Sequence, residues 1–75
     1  MIIFTKHGLL KLAQRKIGKK FVLKTLSQPD YTKTSYGNRQ MVFKKFGKLY
    51  LKVVFRKEGK NLIIITQHWV EKISP

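Results

Sequence analysis

The feature that most narrows what this chain can fold into is a change of hydrophobic period at Pro29-Asp30. Upstream, apolar residues recur at helical spacing. Downstream, β-branched and aromatic residues alternate with polar ones and are interrupted at Gly37-Asn38, Gly47 and Glu58-Gly59. Connections that short leave no room for a crossover, so consecutive strands must lie antiparallel. The pattern predicts strands running from Thr32 to Tyr36, Arg39 to Phe46, Leu49 to Arg56 and Asn61 to Gln67, with Gly37-Asn38 as a two-residue hairpin turn. In the third of these, Leu49, Leu51, Val53 and Phe55 form one face and Tyr50, Lys52, Val54 and Arg56 the other. The run from Leu62 to Ile65 is apolar on both faces, as in a central strand.

Before the switch, Thr5 suits a helix N-cap. Leu9, Leu10, Leu12, Ala13 and Ile17 share one side of the helix it would open, with His7, Lys11, Gln14 and Arg15 on the other. Gly18 is expected at the C′ position closing that helix. Phe21, Val22, Leu23 and Leu26 then predict a second helix, stopped near Ser27 by Pro29-Asp30. The expected architecture is α+β: one domain over residues 1–75, with two N-terminal helices packed on a four-stranded antiparallel meander sheet. Ile2 to Phe4 allows a short extra N-terminal strand.

A chain of 75 residues without Cys buries only about 60% of its unfolded surface and has no disulfide to hold it. Part of its stability is therefore expected from a partner or from self-association as a homodimer. No apolar run is long enough to cross a bilayer, and the N-terminus lacks a signal peptide's apolar stretch. The expectation is a soluble, cytoplasmic protein that does not engage membrane.

Charge restricts the chemistry further. Seventeen Lys and Arg face three Asp and Glu, a formal net charge of +14, which demands an anionic partner such as nucleic acid or an acidic protein. Asp30, Glu58 and Glu71 are too few and too scattered for a two-carboxylate glycosidase or a carboxylate metal cage. No cofactor and no metal is expected. What remains is chemistry by His, Arg, Lys, Tyr and Thr.

Three groups of residues carry that chemistry. His7, Lys11 and Arg15 are spaced to stack along one helix face, where an imidazole can exchange a proton while a guanidinium holds a phosphate oxygen. The same spacing also describes an ordinary solvated helix face. Near the end of the last strand, alternation puts Thr66 and His68 on one side and Gln67 on the other. His68 then either pairs with His7 as acid and base or is an edge histidine beside a core-capping Trp69. On the sheet, Arg39, Lys44, Lys45, Lys48, Lys52 and Arg56 interleave with Tyr31, Tyr36, Phe43, Phe46 and Tyr50, a mixture suited to phosphate contact and base stacking on single-stranded RNA.

With these residues in view, the chain resembles a known family. The opening Ile3-Phe4-Thr5-Lys6-His7, the spacing from His7 to Arg15, Leu26-Ser27-Gln28-Pro29-Asp30, and the stretch from Tyr50 to Trp69 look like the family called domain of unknown function 4258. That family resembles the RelE/ParE-like toxins within the metal-independent ribonucleases that include barnase and the colicin RNases. The resemblance implies a RelE-like domain that cleaves RNA, on or off the ribosome, as the toxin of a toxin–antitoxin pair. It places the motif histidine on His7, the helix arginine on Arg15, the strand arginine on Arg39 and the end-of-sheet threonine on Thr66. Gly8 stands where similar proteins often have Ala, and His68 where they often have Tyr.

The combined expectation is a metal-independent endoribonuclease that works by 2′-OH attack. His7, Arg15, Thr66 and His68 form its catalytic group, and Lys11, Arg39, Lys44, Tyr50, Lys52 and Arg56 hold RNA. Its partners are RNA, the ribosome and an acidic antitoxin. The alternative is a basic module that binds nucleic acid or ribosome without cutting.

Overall fold

In a computed structural model, residues 1–73 are described. The chain runs β1 (Ile2–Phe4), α1 (Lys6–Gln14), α2 (Lys19–Ser27), β2 (Tyr31–Thr34), β3 (Arg39–Phe46), β4 (Leu49–Glu58) and β5 (Asn61–Val70). The strands form one sheet in the order β1-β5-β4-β3-β2. The α+β class and the two helices stand, but the expected four-stranded antiparallel meander is in fact a five-stranded mixed sheet. Its fifth member is the short N-terminal strand allowed at Ile2 to Phe4: this β1 lies parallel to β5, with Ile2 opposite Leu62 and Phe4 opposite Ile64. Bonds from Leu62 N to Met1 O (2.8 Å) and from Thr5 N to Ile64 O (3.1 Å) extend this ladder at both ends.

Thr5 caps α1 as its type predicts, its Oγ1 accepting from Gly8 N at 2.9 Å. The other end departs from expectation. Lys16, at φ 53°, occupies the left-handed C′ position assigned above to Gly18. Ile17 N bonds to Leu12 O (2.9 Å) and Lys16 N to Ala13 O (3.3 Å), the two contacts of a Schellman closure, which folds the buried Ile17 onto Leu12. Gly18 is instead the N-cap of α2.

Of the three breaks expected between strands, at Gly37-Asn38, Gly47 and Glu58-Gly59, only the first is not a two-residue hairpin turn. Residues 35–38 form a four-residue connection, bonded from Ser35 N to Arg39 O at 3.0 Å. The two-residue turns are Gly47-Lys48 and Gly59-Lys60, each with its glycine at positive φ in the first central position. That is the type II′ pattern, whose twist matches the strands it joins.

Both helices cover the same face of the sheet. Leu12, Ile17 and Val22 pack there on Val42, Leu51, Val53, Phe55 and Ile64, while Phe21, Phe46 and Trp69 meet edge to face at ring-centroid distances of 5.1–6.1 Å. The buried line of α1 is Gly8 and Leu12; Leu9 (45% exposed) and Leu10 (54%), expected to face the sheet with Ala13, are in solvent. Gly8 explains the rotation. A Cβ there would stand 2.9 Å from Ile64 O, so its absence lets the helix backbone settle against β5, and Gln67 Nε2 reaches across to Gly8 O at 2.8 Å.

Candidate functional site

The other face of the sheet carries no helix, and strand register decides what it displays. Partners across a ladder share a face. Tyr31 pairs with Phe43, Phe43 with Lys52 and Lys52 with His68, so these four form one row across β2, β3, β4 and β5. The adjacent row is Lys33, Met41, Val54 and Thr66. Lys45, Tyr50 and Val70 make a third, with Lys45 Nζ 5.9 Å from the centre of the Tyr50 ring. Arg39 and Arg56 oppose one another toward the far end. Of the cations and aromatics expected to share a sheet face, this open face carries Arg39, Lys45, Lys52 and Arg56 with Tyr31, Phe43 and Tyr50, while Phe46 packs on the helix side and Tyr36 and Lys48 fall in connections.

Lys44 is not on it. Its partner is Leu51, on the helix side, where its Nζ donates to Gln28 O at 2.9 Å and lies 4.0 Å from Asp30 Oδ1. Phe43 is buried, but on the open face rather than among the residues beneath the helices.

At the border of β5 the open face meets α1. Because β1 pairs with β5 only as far as Ile64, the rest of β5 runs along an uncovered edge. A register shift opposite Val54 and Phe55 leaves Ile65 unpaired, a bulge of the kind that re-aims a strand. Thr5 Oγ1 donates to Ile65 O at 3.4 Å, and Arg15 Nη1 donates to Gln67 O at 2.7 Å and to Thr66 Oγ1 at 3.4 Å. Arg15 thus wraps from the helix layer to the rim of the open face. One guanidinium nitrogen is occupied, and the fork retains further N–H groups for an anion.

Arg15, Lys52, Thr66 and His68 consequently share one corner. The pKa of His68 lies below the usual histidine value, first because burial disfavours the imidazolium and then because Lys52 and Arg15 repel it. Such an imidazole is neutral near pH 7 and able to take a proton, beside two cations able to hold an anion.

His7 is exposed on α1, in the helix layer, and makes no side-chain hydrogen bond among the described residues, whereas the His68 side chain lies on the other side of the sheet. Lys11 spends its ammonium on Gln14 Oε1 at 3.2 Å. Arg56 is paired with Glu58 at 3.2 Å. Beside the corner lies a depression whose contributors, Lys33, Met41, Phe43, Val70 and Lys72 together with Lys52, went largely unremarked in the sequence. Only the hairpin registers bring them together. Among the described residues no cluster of His, Cys, Asp and Glu suits a metal ion, and no helix is long and apolar enough to cross a membrane.

No family model matches the sequence, so the family resemblance drawn above finds no support at that level, and no curated protein sequence matches it either. Among solved structures the chain is similar to the crystal structure of the Brucella abortus ribonuclease toxin BrnT. The two share 16% identity and a TM-score of 0.73, with 95% of this chain and 96% of that chain covered. The likeness extends over essentially both chains, and what it shows is a shared fold.

Proposed function

We propose that this chain is the toxin of a toxin–antitoxin pair, a metal-independent endoribonuclease that cleaves single-stranded RNA at the corner formed by Arg15, Lys52, Thr66 and His68. The observation that carries the reading is His68 itself: an imidazole held neutral by partial burial and by the same two cations that an attacked phosphate would need. A neighbour in fold described as a ribonuclease toxin supports the same class. In the reaction, His68 takes the proton of a ribose 2′-OH. The freed oxygen attacks phosphorus, the bond to the 5′-oxygen breaks, and a 2′,3′-cyclic phosphate and a 5′-hydroxyl result, the leaving oxygen taking its proton from solvent. Arg15 and Lys52 neutralise the charge that grows on the phosphorane. Thr66, at 3.4 Å from Arg15 Nη1, helps hold the guanidinium in place. Arg39, Lys45, Tyr50 and Arg56 lie along the remainder of the open face to carry the RNA strand, and an acidic antitoxin would silence the protein by covering that face.

The test is cleavage of naked and ribosome-bound RNA in EDTA by wild type and His68→Ala, with the new ends analysed. The expected outcome is cyclic-phosphate product and a loss of roughly a hundred- to ten-thousandfold in rate for the variant, the usual worth of a general base. Equal rates for the two proteins would remove His68 from the reaction. RNA binding by the wild type without cleavage on either substrate would leave a basic binding module.

A further inference from the structure

The depression beside the corner has a composition that neither phosphate chemistry nor the core explains. Met41, Phe43 and Val70 line it with apolar surface while Lys33, Lys52 and Lys72 supply ammonium groups. Its volume is about 540 Å³, within the range of small-molecule sites. No carboxylate lines it among the described residues. A bare phosphate has no use for the apolar floor, and an apolar side chain has no use for three ammonium groups. A nucleotide uses both, placing its base and ribose on the floor and its phosphates at the rim.

We propose that this depression is a nucleotide subsite, which holds the base of the residue next to the scissile phosphate of a single-stranded RNA. The inference deepens the ribonuclease reading and takes its RNA ligand from it. Lys52 joins the two places, since it lines the depression and is also the cross-strand partner of His68. Phe43 lies two strands from His68 in the same row, roughly 10 Å at the usual strand spacing. That is about the reach of one nucleotide, so a base seated over Met41, beside the largely buried Phe43 ring, leaves its phosphate between Lys52 and Arg15. The row crosses the strands, and an RNA bound this way would run across β5, β4 and β3 rather than along them.

Amide-resolved NMR titration of the intact chain with 5′-AMP and, separately, with inorganic phosphate tests the subsite without any need for turnover. AMP is expected to shift the signals of Met41, Phe43, Lys52 and Val70 in a saturable way, whereas phosphate alone moves those around Arg15, Thr66 and His68. Met41→Glu puts a carboxylate on the floor, on the face away from the helices, and should weaken AMP roughly tenfold, a typical loss when a base contact is removed, while phosphate binds as before. Lys72→Glu, on the exposed rim, should weaken AMP without touching the floor or the fold. Identical shift patterns for AMP and phosphate, or wild-type AMP affinity in Met41→Glu, would overturn the subsite, as would a poly-glutamate peptide that occupies the same signals as tightly as AMP. Failure of the nuclease reading looks different: a wild type that saturates with AMP at these residues but cuts no RNA keeps the subsite and loses the catalyst.

Discussion

At the scale of single residues, the reading depends on which protonation state His68 holds. Burial, Lys52 and Arg15 act in the same direction and lower its pKa, so cleavage should rise with pH through a midpoint below that of an ordinary histidine and then stay level. Lys52→Met keeps most of the side-chain stem and removes the charge. The variant's His68 pKa, followed by the imidazole proton resonances, should move up toward the ordinary value, and the acidic limb of the rate profile should move with it. An unchanged pKa would mean that the pair across β4 and β5 does not interact. The same shift has a sign for stability. A folded-state pKa below the unfolded one costs nothing at pH values above both, and destabilises the fold progressively as pH drops below the unfolded value toward the folded one. Side-chain chemistry of this kind was legible in the sequence: Arg15, Thr66 and His68 stood out by type and alternation. That they meet was not, because it depends on a bulge at Ile65 and on a β1 too short to cover the rest of β5. His7 stood out for the same reasons of type, and residue type does not say on which layer a helix leaves its exposed side, here the layer opposite His68.

At the scale of elements, α1 shows why a pattern of apolar residues is an incomplete guide to orientation. Leu9, Leu10 and Ala13 dominate the hydrophobic count, but the side that docks is the one with least bulk, Gly8 and Leu12. A glycine contributes nothing to hydrophobicity, and its value here is the distance it permits between helix and strand. Gly8→Ala sets two effects against each other. Helix propensity favours the alanine by about 1 kcal/mol, but its Cβ would lie 2.9 Å from Ile64 O and 3.2 Å from the capping Thr5 Oγ1, and a strand backbone does not move aside cheaply. Overpacking of this kind costs about 1–3 kcal/mol, so net destabilisation is expected in urea unfolding, with Arg15 displaced from Gln67 O as the helix lifts. Equal or greater stability would show that the helix is not seated as tightly as Gly8 implies. The strands show the converse. Period-two alternation located β3 and β4, each of which turns one face to the helices, and β5 showed itself as a run apolar on both faces, while β1, three residues long, showed only as a short apolar opening whose parallel pairing with a strand some sixty positions away no local pattern specifies. Of the turns, only Gly37-Asn38 departs from the two-residue hairpin that its residue types suggest; the glycines at 47 and 59 close two-residue turns at the interruptions where they were expected, each at the positive φ that suits the strand twist.

At the scale of the whole molecule, the surplus of positive charge acts on folding and on binding with opposite signs. The net charge of +14 already counts all three acids, two of which, Asp30 and Glu58, are paired with Lys44 and Arg56, so the whole surplus is left without a counter-charge within the chain. Self-repulsion destabilises the compact state, and added salt relieves it. The melting temperature should therefore rise between low and moderate salt, and more with phosphate or sulfate than with chloride at equal ionic strength, because an anion bound at the Arg15–Lys52 corner stabilises the folded state alone. RNA affinity should fall over the same range. Single strands lose about 0.7 log units of affinity per log unit of salt for each phosphate contacted. A strand crossing the open face from Arg15 past Lys52 to Lys33 meets a phosphate at each of these three cations, which gives a slope of about −2 by the same rule. Melting curves and fluorescence anisotropy with a labelled oligouridylate, run on one preparation across one salt series, measure both. Parallel loss of stability and affinity would mean that salt weakens the fold and that the binding loss is secondary to unfolding. A rising melting temperature with a slope near zero would take the phosphate backbone off the open face, and the RNA track with it.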